Sequence, residues 1–127
     1  MNAEELAPYI AELEEWFRDR DVQIDPLPEI IFDDSNSPTD IFTPTGFYDY
    51  EAKTITVYVN GRHIKDIMRT ISHELVHHSQ NLADGSLGDH DLTGSIYTNQ
   101  VLRDVESDAY LRGNTLFREW TEQHTIK

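Results

Sequence analysis

Residues 54–78 read Thr54-Ile55-Thr56-Val57-Tyr58-Val59-Asn60-Gly61-Arg62-His63-Ile64-Lys65-Asp66-Ile67-Met68-Arg69-Thr70-Ile71-Ser72-His73-Glu74-Leu75-Val76-His77-His78. The stretch Thr54 to Val59 is β-branched at all but Tyr58 and alternates cleanly, which predicts a strand with one buried face. Asn60-Gly61 ends it. From Ile64 the period changes: Ile64, Ile67, Met68, Ile71 and Leu75 fall on one helical stripe, and the pattern continues to about Leu82. Upstream, Gly46-Phe47-Tyr48-Asp49-Tyr50 is aromatic and strand-like, and Glu51, Ala52 and Lys53 make a turn. These residues predict a β-hairpin that feeds directly into a long amphipathic helix.

Outward from this centre the chain supplies the partners that such a hairpin and helix need. Asn2 can cap a helix with Glu5 as its box partner. Leu6, Ile10, Leu13, Trp16 and Phe17 then recur at helical spacing, predicting a helix over 3–20 that carries Pro8 near its start, where a missing donor is tolerated. Pro26 and Pro28 precede a short strand at Glu29-Ile30-Ile31-Phe32, and Asp33 to Thr45 reads as a surface loop. Residues 83–97, with Gly85, Gly88 and Gly94, read as another loop. A last helix spans roughly Thr98 to Gln123, with Val101, Leu102, Val105, Ala109, Leu116, Phe117 and Trp120 as its apolar face; Gly113-Asn114 is a place where it could kink. The expected class is α+β: a small, mostly antiparallel three-stranded sheet packed on an N-terminal helix, the central helix and a C-terminal helix. At 127 residues, one domain over 1–127 is expected.

Composition narrows the function. The formal charge is -14, from 24 acidic and 10 basic residues. A field of that sign repels phosphate backbones and anionic lipid, so neither nucleic acid nor a membrane surface is an expected partner; metal ions and basic peptides are favoured. With no cysteine there is no disulfide, thiolate metal site or cysteine nucleophile. Met1 to Arg20 is acidic and amphipathic, unlike a signal peptide, and no apolar run approaches membrane-spanning length, so a soluble, cytoplasmic monomer is expected.

The chemistry sits in the central helix. His73 and His77, four residues apart, lie one turn above each other, and their imidazoles can converge on one ion. Glu74 points about 100° around the helix, beside such an ion, where it can accept a proton from an attacking water. Polar groups on a semi-buried helix face are costly without a partner, and a metal supplies one. Zinc takes four ligands and a catalytic site keeps one for water, so a third protein ligand is required. The candidates are Asp89, His90, Asp91, Asp104, Glu106 and Asp108. Glu106 is preferred because a carboxylate on a crossing helix is held rigidly, and small Ala109 nearby permits close approach. Tyr110, one turn beyond Glu106, can reach the site to stabilise an oxyanion or hold a ligand, or can pack in the core. His78 points off the motif's face and reads as a supporting or surface residue.

His73-Glu74-Leu75-Val76-His77 followed by Glu106-Ser107-Asp108-Ala109 resembles the gluzincin branch of zinc metallopeptidases, which combine His-Glu-x-x-His with a Glu from a later helix, often as Glu-x-x-Ala. The small size and the strands ahead of the motif are similar to minigluzincins and to short phage-encoded metallopeptidases, over roughly residues 29–120. The resemblance implies zinc ligands at His73, His77 and Glu106 and a general base and acid at Glu74. It also implies an extended peptide or protein substrate added to an edge strand, here Gly46 to Tyr50. Gln80 and Ala83 stand where the metzincin pattern needs glycine and histidine. Large gluzincins carry an Asp four residues after the ligand Glu, where this chain has Tyr110, so the resemblance names no partner for His73. Two other readings share these residues: a zincin-like metal-binding protein with little or no turnover, and a helical interaction module in which the motif carries no metal.

Overall fold

Leu6, Ile10, Leu13 and Phe17 sit at helical spacing, and they form the buried stripe of α1 (Ala3–Asp19) in a computed structural model that describes residues 3–34, 45–83 and 100–123. Asn2, the expected cap, lies outside the described residues. The end of α1 is a left-handed cap: Asp21 has φ 60°, its N–H donates to Arg18 O at 3.0 Å, and Val22 N–H donates to Phe17 O at 3.0 Å. Asp tolerates that conformation better than most side chains, and the buried pair Phe17–Val22 is the apolar contact that accompanies this motif.

Three strands follow: β1 (Glu29–Asp33), β2 (Gly46–Asp49) and β3 (Thr54–Tyr58). The hairpin is present, with β2 antiparallel to β3 in the register Phe47↔Thr56 and Tyr48↔Ile55. The sheet is mixed, which corrects the mostly antiparallel expectation: its order is β1-β3-β2, and β1 runs parallel to β3. A parallel neighbour needs a long crossover connection, whereas a tight turn forces antiparallel pairing. β2 lies on the far side of β3 from β1, so β3 is central. Ile55, Thr56 and Val57 are accordingly buried. Tyr50 leaves the strand and opens the turn, in which Asp49 Oδ1 accepts from the backbone N–H of Glu51 and Ala52 and Lys53 has φ 56°.

The central helix α2 (Ile64–Ala83) begins at His63, whose Nδ1 accepts from Lys65 N–H and so caps the first turn. Its predicted stripe, Ile64, Ile67, Met68, Ile71 and Leu75, is buried. Other faces are buried as well, at Thr70, Ser72, Glu74, His77, His78 and Asn81, because α2 lies between the sheet and the helices. α3 (Gln100–Gln123) is continuous, so Gly113-Asn114 does not interrupt it. Ala109, Leu116, Phe117 and Trp120 face the core as expected, but Val101 is exposed. Trp16 Nε1 donates to Leu116 O at 3.1 Å, tying α1 to α3. One apolar cluster spans α1, the sheet, α2 and α3. Among the described residues no helix is long and apolar enough to cross a membrane.

Candidate metal centre

α2 and α3 cross closely beside His73. A Cβ on Gly113 would stand 3.0 Å from His73 Cα, and Ser72 Oγ donates to Gly113 O at 2.9 Å. Together with buried Ala109, Gly113 forms a small-residue seam that lets the helix backbones approach. Glu106, one turn before this seam, is thereby held against the imidazoles. Glu106 Oε1 lies 3.1 Å from His77 Nε2, and Oε2 lies 3.6 Å from His73 Nε2. One ligand atom from each of the three residues lies within 4.8 Å of the others. Two ligands about 2.0–2.1 Å from a tetrahedral zinc are about 3.3 Å apart, so this spacing fits one ion.

The protonation pattern points the same way. His77 Nδ1 is 2.8 Å from Gln80 Oε1. The Gln80 amide is fixed in that orientation because its Nε2 donates to Val105 O at 3.0 Å and to Asp108 Oδ2 at 2.8 Å. The proton of neutral His77 is therefore on Nδ1, and the Nε2 lone pair faces Glu106. A lone pair aimed at a carboxylate calls for a proton or a metal cation between them. Burial opposes charge on His77, but the hydrogen bond to Glu106 and the charges of Glu74 and Glu106 outweigh it and raise its pKa. His73, and then His77, hold the Glu106 carboxyl at about 2.

Glu74 is buried beside this cluster, and burial, opposed by His77 and His73, pushes its pKa up. Tyr50 is half-buried, its ring edge-on to His77 with centroids 6.2 Å apart. Burial first, then the carboxylates of Glu106 and Glu74 and the neighbouring Tyr48, raises its pKa to about 12. His78 is fully buried: its Nε2 donates to Pro26 O at 2.7 Å, so its Nδ1 accepts from Tyr48 OH at 2.7 Å. Asn81 Nδ2 donates to Tyr48 OH and to Tyr50 O. This polar network clamps the end of β2 onto α2 and seats Tyr50 over the site.

The structure thus brings together His73, Glu74, His77 and Glu106. Tyr110 lies at the rim of the same cleft and is 68 % exposed. Of the other ligand candidates, Asp108 is taken up by Gln80 and Arg112, and exposed Asp104 accepts from Gln100. Asp89, His90 and Asp91 lie outside the described residues. Sequence reasoning missed Tyr50, which its placement in a strand concealed, and Gln80, whose position one turn after His77 was a usable signal. The cleft above the cluster has a volume of about 560 Å³ and is bordered by Gly46, Phe47 and Tyr48 of the edge strand. That volume lies within the about 300–1,000 Å³ that ligand sites span. No family model, curated protein or solved structure matches the chain.

Proposed function

We propose that the chain is a small zinc-dependent metallopeptidase of the gluzincin type. The observation that carries this reading is the convergence of His73, His77 and Glu106 at the floor of a cleft that also holds buried Glu74 and the strand β2, which has no second neighbour among the described residues. His73, His77 and Glu106 would hold the ion, which when bound supplies Lewis acidity for water and for the substrate carbonyl. Gln80 keeps the Nε2 lone pair of His77 free for it. An extended peptide would pair with β2, placing its carbonyl over the cluster. Glu74, beside the ligands, takes the proton from the attacking water and delivers it to the leaving amine nitrogen. Its raised pKa suits a carboxyl that must both accept and return a proton.

The test pairs metal analysis with a peptide library. Protein purified with zinc should hold one equivalent, cleave peptides and lose cleavage with a chelator. E74Q should keep the zinc and lose turnover by about a thousandfold or more. Equal cleavage by E74Q and wild type, or none by the zinc-loaded wild type, would sink the peptidase reading. The second reading, a metal-binding module without turnover, draws on one observation: His73 has no hydrogen-bonding side chain behind it among the described residues, whereas His77 has Gln80.

A further inference from the structure

The cleft is electrically polarised along α2. At the cluster end its walls carry Glu74 and Glu106; at the other end, where α2 begins, they carry Arg62 and Arg69. Asp66 is the acidic residue at that second end, and Arg69 Nη1 already binds it at 3.0 Å. Arg62 differs: its Nε is buried and has no hydrogen-bond partner among the described residues. A buried donor on a permanent cation is costly to leave unmade, so such a group calls for a partner. Lys65 and Arg118 line a depression that joins the cleft through Arg69 and Tyr110. Neither has a carboxylate partner among the described residues. Arg62, Lys65, Arg69 and Arg118 are thus gathered at one end of the cleft, from a chain that has 10 basic residues in all.

Resting on the peptidase reading, we infer that the cleft selects peptides bearing a free carboxylate, which Arg62 binds at the end remote from the metal ligands. A guanidinium and a carboxylate make paired, charge-assisted hydrogen bonds, and the Arg62 guanidinium, which lines the cleft, has no carboxylate partner among the described residues. A bound zinc would offset the charges of Glu74 and Glu106, so the basic groups gathered around Arg62 set the direction in which the peptide lies. From Ile64 to His73 the helix rises about 14 Å. An extended peptide rises about 3.3 Å per residue, so the carboxylate sits roughly four residues from the bond above the cluster. This reverses the preference that the net charge of -14 suggests, because the local groups and not the distant ones face the ligand.

Binding tests this separately from turnover. Zinc-loaded E74Q is titrated with fluorescein-labelled neutral peptides in which a single Glu or its Gln isostere is moved along the chain and the C-terminus is free or amidated. The expected result is about tenfold tighter binding for the Glu form at one position, or for the free C-terminus at one length. The first outcome assigns a side chain as the source and the second the terminal carboxylate. R62M in the E74Q background should erase the difference while zinc affinity, which reports an intact fold, stays unchanged; R62K should keep part of it. Raised salt should weaken the preferred peptide more than its isostere. Equal binding of the Glu and Gln peptides, no binding of any peptide, or a preference that survives R62M overturns the inference. A carboxylate preference in a wild-type protein that cuts nothing keeps this inference and removes the peptidase reading.

Discussion

Gln80 Oε1 accepts the Nδ1 proton of His77 at 2.8 Å, and Gln80 is itself held by Val105 O and Asp108. One of the two residues that distinguish this chain from the metzincin pattern is thus the one that fixes the tautomer of a candidate ligand histidine. Groups that orient a metal-bound histidine typically contribute about 10–100-fold to metal affinity. Q80L, which preserves shape and removes the acceptor, is expected to weaken zinc binding by that factor in a competition with a chromophoric chelator. Unchanged affinity would mean that packing alone orients His77.

The metal-free and zinc-bound proteins should respond to pH in opposite directions. Glu106, held at about 2 against an ordinary 4.5, contributes stability that is complete above 4.5 and is lost as pH falls towards 2. His77, raised above its ordinary 6.5, contributes stability that is complete below 6.5 and is lost as pH rises through its folded value. The pair therefore stabilises the metal-free protein most between about pH 4.5 and about pH 6.5. Zinc must displace the His77 proton, so its affinity rises with pH over the range where that contribution fades. Thermal melts at about pH 6 and about pH 8 are expected to show the metal-free Tm falling and the zinc-induced increase growing. A zinc-induced increase that shrinks with rising pH would contradict the ligand role of His77.

What could be read from the sequence was local. The change from period two to period 3.6 at Asn60–Ile64 located β3 and α2, and ligand chemistry led from His73 and His77 to Glu106. The parallel pairing of β1 with β3 was not legible, because Ile30 and Phe32 present the same alternation in either direction. Gly113 was read as a breaker because its partner, the backbone at His73, lies on another helix. Arg62 was invisible for the same reason: its meaning comes from the cleft that it shares with Glu74 and Glu106.

Gly113 gives a direct test of the helix crossing. Alanine gains about 1 kcal/mol of helix propensity over glycine, while overpacking costs about 1–3 kcal/mol. The neighbour here is His73 Cα at 3.0 Å, backbone of the central helix, which cannot rotate aside. G113A is expected to lose about 1 kcal/mol of stability and to weaken zinc binding, because it moves Glu106 on α3 away from His73 on α2. L111A, on an exposed face of the same helix, should change neither by more than about 0.5 kcal/mol. Denaturant melts and zinc titrations of both variants check this; a G113A protein that is more stable with unaltered affinity would show that the helices have room to spare.

Two tyrosines border the cleft, and they should differ in what they contribute to the reaction. Tyr50 is half-buried, lies edge-on to His77 and keeps its proton because burial and the neighbouring carboxylates lift its pKa to about 12. It is therefore a hydrogen-bond donor throughout the neutral range, and it lines the cleft beside His77. Tyr110 is 68 % exposed, so water competes for its hydroxyl. If the chain cuts peptides, Y50F is expected to lower kcat by about 10–100-fold with zinc affinity unchanged, whereas Y110F should stay within about twofold. Measuring kcat and KM for both separates the roles. A loss confined to KM in Y50F would make Tyr50 a substrate-binding wall, and a large kcat loss in Y110F alone would place the donor on α3, with the rim closing over the bound peptide.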